Sequence, residues 1–150
     1  MLLERYEYEI GSSFQQYDFY SEGPKGKIKK AILYSFLGTL DGADYYNLGF
    51  GDYDKNEKGI NDLSISDNKD RDKVLATVAV ATLEFTSHFP GCKIVAEGST
   101  PARTRLYQMG ITKYYTEIAG LFDIQGLTEG SGWVPFKTGQ NYLAFLIARK

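Results

Sequence analysis

Asp70-Arg71-Asp72-Lys73-Val74-Leu75-Ala76-Thr77-Val78-Ala79-Val80-Ala81-Thr82-Leu83-Glu84-Phe85-Thr86-Ser87-His88 is the point at which the chain changes period. Val74, Val78, Ala81 and Phe85 recur at i, i+4, i+7 and i+11, and Leu75, Thr82 and Phe89 broaden the same face, which predicts an amphipathic helix. Asp67 or Asn68 is placed to cap it, acidic residues fill its first turn, and Pro90-Gly91 stops it. Because nearly every position from Val74 to Leu83 is apolar or small, this helix is expected to organise the core. Cys92 to Ala96 follows as a short apolar strand.

Upstream of that helix the period is two. Tyr6, Tyr8 and Ile10 alternate with Arg5, Glu7 and Glu9, which predicts a half-buried strand. Phe14, Tyr17 and Phe19 suggest a second strand, and Ser21 to Gly26 is dense in turn formers. Ile28, Ile32, Tyr34 and Phe36 fall on one face of a third, with Lys30 interrupting that face. Asp41-Gly42 marks a turn, and an aromatic strand resumes from Tyr45 to Tyr53. Downstream, Gly98-Ser99-Thr100-Pro101 opens a second helix with Ser99 or Thr100 as its cap and Pro101 in its first turn. Ala102, Leu106 and Met109 are its expected buried face, and Gly110 its expected end. Thr112 to Ile118 reads as a further helical turn or two. Leu121 to Leu127 and Tyr142 to Ala148 read as closing strands, separated by Glu129-Gly130-Ser131-Gly132 and Pro135.

The expected fold is therefore α+β. An N-terminal antiparallel β-meander leads to a long central helix, and strand-helix-strand-strand then completes one mixed sheet packed on helices. A chain of 150 residues suits a single domain spanning 1–150. At that size roughly 70% of the unfolded surface can be buried, so no metal or disulfide staple is needed. Aromatic residues are 15% of the chain, which favours sheet before it favours a binding surface. The lone Cys92 cannot form an internal disulfide, which fits a reducing compartment. The N-terminal ten residues, charged from Glu4 onward, do not read as a signal peptide, and no run approaches the roughly 20 apolar residues of a membrane span. A cytoplasmic protein without membrane contact is the expectation. The net charge of −2 supplies no general field for nucleic acid.

Most familiar chemistries lack their residues. One histidine, His88, excludes a His-rich metal site; at a helix C-terminus it reads as a dipole partner. Glu97-Gly98-Ser99-Thr100-Pro101 is not a nucleophile elbow, and neither a phosphate-binding Walker loop nor a dinucleotide fingerprint occurs. Cys92 opens an apolar strand and reads as an inert core thiol. Asp52 to Asp62 has Asp52, Asp54 and Asn56 at calcium-loop spacing, but Glu57 stands where glycine is needed and Leu63 where a bidentate Glu is needed. It reads as a hairpin loop. Lys25, Lys27, Lys29 and Lys30 form a basic run, but strand alternation sends Lys30 to the face opposite Lys27 and Lys29. The remaining candidate is Ile94 to Tyr107. There an apolar strand delivers Ser99 and Thr100 to a helix start, where free N–H groups and the positive dipole end favour an anion. Arg103 lies in phase with Tyr107, and Arg105 on the other flank. Ser99, Thr100, Arg103 and Tyr107 are the candidate ligand-binding residues.

Three segments together carry a resemblance: Ser-Glu-Gly-Pro-Lys-Gly-Lys-Ile-Lys-Lys at 21–30, Gly-Phe-Gly-Asp-Tyr-Asp at 49–54 and Gly-Ser-Thr-Pro-Ala-Arg-Thr-Arg-Leu-Tyr-Gln-Met-Gly-Ile-Thr-Lys-Tyr at 98–114. Over nearly the whole chain the sequence resembles a domain-of-unknown-function family of small bacterial proteins, mostly from Bacteroidota. That resemblance implies no activity. The element order, with Leu106-Tyr107 before Gly110-Ile111, is also similar to GNAT-type acetyltransferases. Their glycine-rich pyrophosphate loop precedes the long helix, whereas residues 66–72 here are Ser-Asp-Asn-Lys-Asp-Arg-Asp. No cofactor residue is carried over, and no cofactor is expected. Two functions follow as expectations. The first is a non-catalytic interaction or ligand-sensing domain that binds a protein partner or a small phosphate-like anion at the 98–103 turn. The alternative is a small transferase or nuclease using the same turn for phosphate.

Overall fold

Alternating polar and apolar residues, broken by Gly-rich turns, build the strands of the first half. The computed structural model describes residues 4–54, 59–61, 68–98 and 100–150. Strands β1 (Glu9–Ile10), β2 (Gln16–Gly23), β3 (Gly26–Leu40), β4 (Ala43–Asp54) and β5 (Gly59–Asn61) form the meander, but the first strand does not reach back to Tyr6 and Tyr8, and Phe14, expected in the second, lies in the turn before it at φ 60°. Helix α1 (Arg71–His88) follows, then β6 (Lys93–Ala96), α2 (Pro101–Lys113), α3 (Tyr115–Leu121), β7 (Phe122–Thr128), β8 (Gly132–Pro135) and β9 (Phe145–Arg149). Among the described residues the strands join in one mixed sheet in the order β1-β2-β3-β4-β6-β9-β7-β8, with β5 paired to β4. The β4–β6 pair is parallel and the other registered pairs are antiparallel. A parallel pair requires a long crossover, and α1 lies within it. The fold class is α+β, as the change of period predicts. No helix among the described residues is long and apolar enough to cross a membrane.

Contacts divide the chain into two compact units, Met1–Tyr34 with Gly49–His88 and Ser35–Leu48 with Phe89–Lys150. In the first, α1 has no fully exposed residue between Asp72 and Thr86. Val74, Val78, Ala81 and Phe85 are buried as their spacing demands. Phe85 stacks on Tyr34 with ring centroids 4.2 Å apart, and the Tyr34 hydroxyl meets Thr82 Oγ1 at 2.8 Å. Thr77, Thr82 and Thr86 satisfy their own hydroxyls by donating to carbonyls four residues back, so polar side chains enter the core without an orphaned group.

Lys30 interrupts the apolar face of β3 and yet is only 1% exposed. Its ammonium donates to Asp52 Oδ1 at 2.6 Å and lies 5.8 Å from the centre of the Phe50 ring. A lysine belongs on such a face only with a carboxylate delivered to it, here from β4. The start of α1 differs from the expectation. Asp67 lies outside the described residues, and Asn68 does not cap the helix. Asn68 is buried and spans the β2–β3 turn, accepting from Lys25 N at 2.7 Å and donating to the Gly26 carbonyl at 2.9 Å. Gly23 permits that approach, because a Cβ there would collide with the Asn68 carbonyl oxygen.

In the second unit Ile94, Ala96, Phe122 and Phe145 are buried on the strands. Phe136, Tyr142 and Phe145 form an aromatic cluster that Tyr115 joins through Phe136. Gly126 makes room for Tyr142, whose ring fills the place where a Cβ would stand. Gly110 does not end α2. It is buried inside a helix that continues to Lys113, and packing outweighs the roughly 1 kcal/mol that glycine costs there. The segment expected only to separate the closing strands contains β8, which lies at the sheet edge, where Pro135 leaves no ladder bond unmade.

Replacing Phe85 with Ala is expected to cost about 3–5 kcal/mol in urea unfolding, since a fully buried ring stacked on Tyr34 is lost. A loss below about 1 kcal/mol would mean that the α1 face is misassigned. Asp52→Ala, which strands the Lys30 charge, should cost about 3 kcal/mol or more. The double variant Lys30→Met/Asp52→Leu should recover most of that loss, because an apolar pair needs no counter-ion.

Candidate functional site

Strand β6 ends at Ala96, and two residues later Gly98 presses against the first turn of α2. A Cβ on Gly98 would collide with Arg103 Cβ and lie 2.5 Å from Thr104 N, so only glycine fits. Thr100 is the N-cap, with extended backbone (φ −135°, ψ 159°), and its Oγ1 accepts from Arg103 N at 3.3 Å. Its carbonyl accepts from both Arg103 N and Thr104 N at 3.1 Å. Pro101 at the first helical position has no donor to offer. Thr104 closes the turn from inside: buried, it accepts from Gly98 N at 3.0 Å and donates to the Thr100 carbonyl at 3.4 Å.

Of the four candidate residues, Ser99 lies outside the described residues. Thr100 is exposed at the cap, Arg103 is half-buried, and Tyr107 is half-buried one turn further along. Arg105 is exposed, as its phase predicts. The buried face of α2 is not the expected one. Ala102 is exposed, Leu106 is half-buried and Met109 is 47% exposed, while Thr104, Gly110 and Ile111 are buried. The helix is turned toward its Arg103 side because Thr104 must face inward to hold Gly98. Arg103 has no acidic partner among the described residues. Among the described residues the donors left at this turn are the Thr100 and Ala102 N–H groups, the Thr100 hydroxyl proton and the Arg103 guanidinium. That makes a small, open anion-facing group rather than a deep cradle.

Two further residues organise the neighbourhood. Gln108 Nε2 donates to the Gln140 carbonyl, and its Oε1 accepts from Tyr142 N at 3.3 Å. The Tyr142 hydroxyl accepts from Lys137 N at 3.0 Å. Nothing in the local sequence marks Gln108, because its partners lie 32 and 34 residues away.

A second polar cluster, in the first unit, is also invisible to local sequence reading. Tyr6 and Ser21 both donate their hydroxyls to Asp70 Oδ2, at 2.6 and 2.5 Å, and Asn68 Nδ2 donates to Ser21 Oγ at 3.1 Å. Burial, and next the bond to Asp70, raise the Tyr6 phenol pKa, so this tyrosine stays neutral and donates. The cluster ties the N-terminal segment and the β2–β3 hairpin to the start of α1. Its hydroxyls are paired with one another's neighbours, which fits support more than catalysis.

The reactive side chains are similarly committed. His88 Nε2 lies 3.1 Å from Glu84 Oε2, and its ring stacks on Phe14 at 4.0 Å. Lys27 pairs with Glu22 at 3.5 Å, and Lys29 lies 4.0 Å from Asp18 and over the Tyr53 ring, so these members of the basic run serve the sheet. Asp52 is held by Lys30, and β4–β5 forms a hairpin; residues 55–58 and 62 of the calcium-like spacing lie outside the described residues. Among the described residues no group of three or more His, Cys, Asp and Glu could hold a metal ion.

Compared with known proteins, the chain matches the pattern described as "Family of unknown function (DUF6934)" over residues 2–150, and it belongs to that family. No curated protein and no solved structure matches it.

Cys92 is buried, and burial pushes its thiol up to about 11. Native protein should therefore resist iodoacetamide at pH 8 and react readily once unfolded. The sign also predicts the pH dependence of stability. A folded-state value above the unfolded one leaves the thiol's contribution intact below pH 9.0 and loses it between 9.0 and about 11, where only the unfolded thiol ionises. Rapid native alkylation, or an unchanged Cys92→Ala difference in urea midpoint across that window, would contradict the assignment.

Proposed function

We propose that this member of the family is a non-catalytic, cytoplasmic ligand-sensing domain, and that the start of α2 takes a small phosphate-like anion. The observation that carries the reading is the half-buried Arg103, without an acidic partner among the described residues, one step from the exposed Thr100 cap. A guanidinium held partly out of water favours an oxyanion more strongly than a fully solvated one does. The Ala102 N–H and the positive end of the α2 dipole act in the same direction. Tyr107, in phase with Arg103, supplies a ring or hydroxyl at the edge of the ligand.

The size of the group argues for binding and release instead of turnover. A few donors at an open turn hold an anion weakly, and exchange suits a sensor. The side chains best able to act as nucleophile or general base are engaged elsewhere: Cys92 is a buried, protonated thiol and His88 is paired with Glu84. This separates the sensor from the transferase or nuclease reading, which needs such a group beside the phosphate.

Inorganic phosphate and phosphate-bearing metabolites, added in a thermal-shift titration and followed by calorimetry, are expected to stabilise the wild-type chain. Arg103→Ala should weaken binding by about 1.5–3 kcal/mol, the loss expected for a charge-assisted hydrogen bond. Arg105→Ala should change it little, since Arg105 lies on the other flank of the helix. Equal losses would reduce the site to a diffuse basic surface. No stabilisation of the wild type by any phosphate ligand would leave α2 as an ordinary capped helix.

A further inference from the structure

Residues 5–15 run beside α1 as a strap that the sheet itself holds only briefly. The ladder to β2 consists of Glu9↔Asp18 and Ile10↔Tyr17, followed by the Gly11 N–H donating to the Gln16 carbonyl at 2.8 Å. Side chains of α1 fasten the rest at successive points along the helix. The Tyr6 N–H donates to Thr77 Oγ1 at 2.9 Å, the Tyr8 hydroxyl donates to Glu84 Oε1 at 3.5 Å, and the Phe14 ring stacks on the His88 ring with centroids 4.0 Å apart. Against the strap lie Phe19, stacked on Tyr6, and Tyr17, met edge-on by Tyr8, and both are buried. All of these residues belong to the first unit.

Phe14 is out of place by local rules. It takes a φ of 60° in the turn between β1 and β2, where a bulky side chain is strained. Its N–H donates to the Gly11 carbonyl at 3.0 Å, a bond that glycine or asparagine would make as well. Burial does not account for the residue either, since it is 42% exposed. What phenylalanine adds to this turn is a ring face laid on His88, 18° from parallel.

We propose that residues 5–15 form a pH-sensitive strap, latched to the end of α1 by Phe14 while His88 is protonated and loosened when His88 is neutral. Two contacts couple the strap to the proton. A cation is attracted to the face of an aromatic ring, so charging the imidazole strengthens the Phe14 stack. The closed strap also covers the Glu84 carboxylate, whose Oε2 lies 3.1 Å from His88 Nε2. A charged imidazole balances that carboxylate, and a balanced pair is covered at less cost than a lone charge. Both effects have the same sign: the latch holds while the ring is charged and weakens as rising pH removes the proton. Other groups face the same pair. Tyr8 on the strap and Tyr17 on β2 have phenols raised by burial and next by the Glu84 charge, so neither ionises near neutral pH. Arg5, 5.2 Å from the centre of the Tyr8 ring, and Glu7, 3.9 Å from Arg5, complete the charges nearby. The imidazole is the side-chain type whose charge ordinarily changes in the neutral range. The strap is independent of the anion reading at α2.

The test is native-state hydrogen exchange of the full chain, read by NMR from about pH 5.5 to 8 and corrected for the intrinsic pH dependence of exchange. His88 is the only histidine, so its ring signals report its charge in the same samples. Protection of the Gly11 and Phe14 amides is expected to fall about threefold as the ring loses its proton, the worth of one cation over an aromatic face at a half-exposed site. Amides of β6 should keep their protection. Phe14→Asn should abolish the pH dependence, because asparagine accepts a positive φ and keeps the turn but offers no ring. His88→Asn should give the weaker protection across the whole range. Should Phe14→Asn fail to fold, Phe14→Leu takes its place, since leucine has no aromatic face. Wild-type protection that does not follow the His88 titration, a fall that β6 shares equally, or a pH dependence that survives in either variant overturns the proposal.

Discussion

Covering one face of a β-sheet with a single helix removes water from every polar group on that face, and this desolvation shapes the first unit of the protein. Lys30 sits between apolar neighbours on β3, and its charge is tolerable only because β4 carries Asp52 to within 2.6 Å. Ser21, Tyr6 and Asn68 meet the same demand with Asp70 and the β2–β3 turn. The threonines of α1 meet it locally, by bonding back to their own helix. A buried polar group with its partner costs little. The same group alone would cost several kcal/mol, and the bonds from Tyr6 and Ser21 to Asp70 and between Tyr34 and Thr82 tie α1 to its sheet.

That requirement consumes much of the chemistry a sequence reader would look for. Of the basic run, Lys27, Lys29 and Lys30 are ion-paired across the sheet. The histidine is stacked and paired, and the thiol is buried and protonated. Asp70 looks like a free acid at a helix start, yet it accepts hydrogen bonds from two hydroxyls. Among the groups left partly open to solvent is the half-buried Arg103 guanidinium at the start of α2, which suits recognition more than bond making.

The start of α2 shows how a single buried contact can rotate a helix away from its hydrophobic phase. Hydropathy alone turns Ala102, Leu106 and Met109 inward. Thr104, which scores poorly by that measure, is inside instead, because its hydroxyl accepts the Gly98 N–H and donates to the Thr100 carbonyl. A satisfied hydroxyl in the core outweighs an alanine and part of a methionine, since the alternative is an orphaned backbone donor beside β6. Arg103 becomes half-buried as a consequence.

Local pattern alone determined the element types and nearly all of their order, since periods of two and 3.6 are properties of consecutive residues. The meander, α1 with its Val74-Val78-Ala81-Phe85 face, the strand at Lys93–Ala96 and the cap at Thr100 were all legible for that reason, as was the burial of Cys92. Tertiary structure decided whatever depends on a distant partner. It paired Lys30 with Asp52 across 22 residues and Asn68 with Ser21 across 47, kept Gly110 inside α2, placed β8 on an edge that accepts Pro135, and left β3 to run past β2. No window of neighbouring residues contains both members of such a pair, and the energy that places each one comes from water removed by the other parts of the chain.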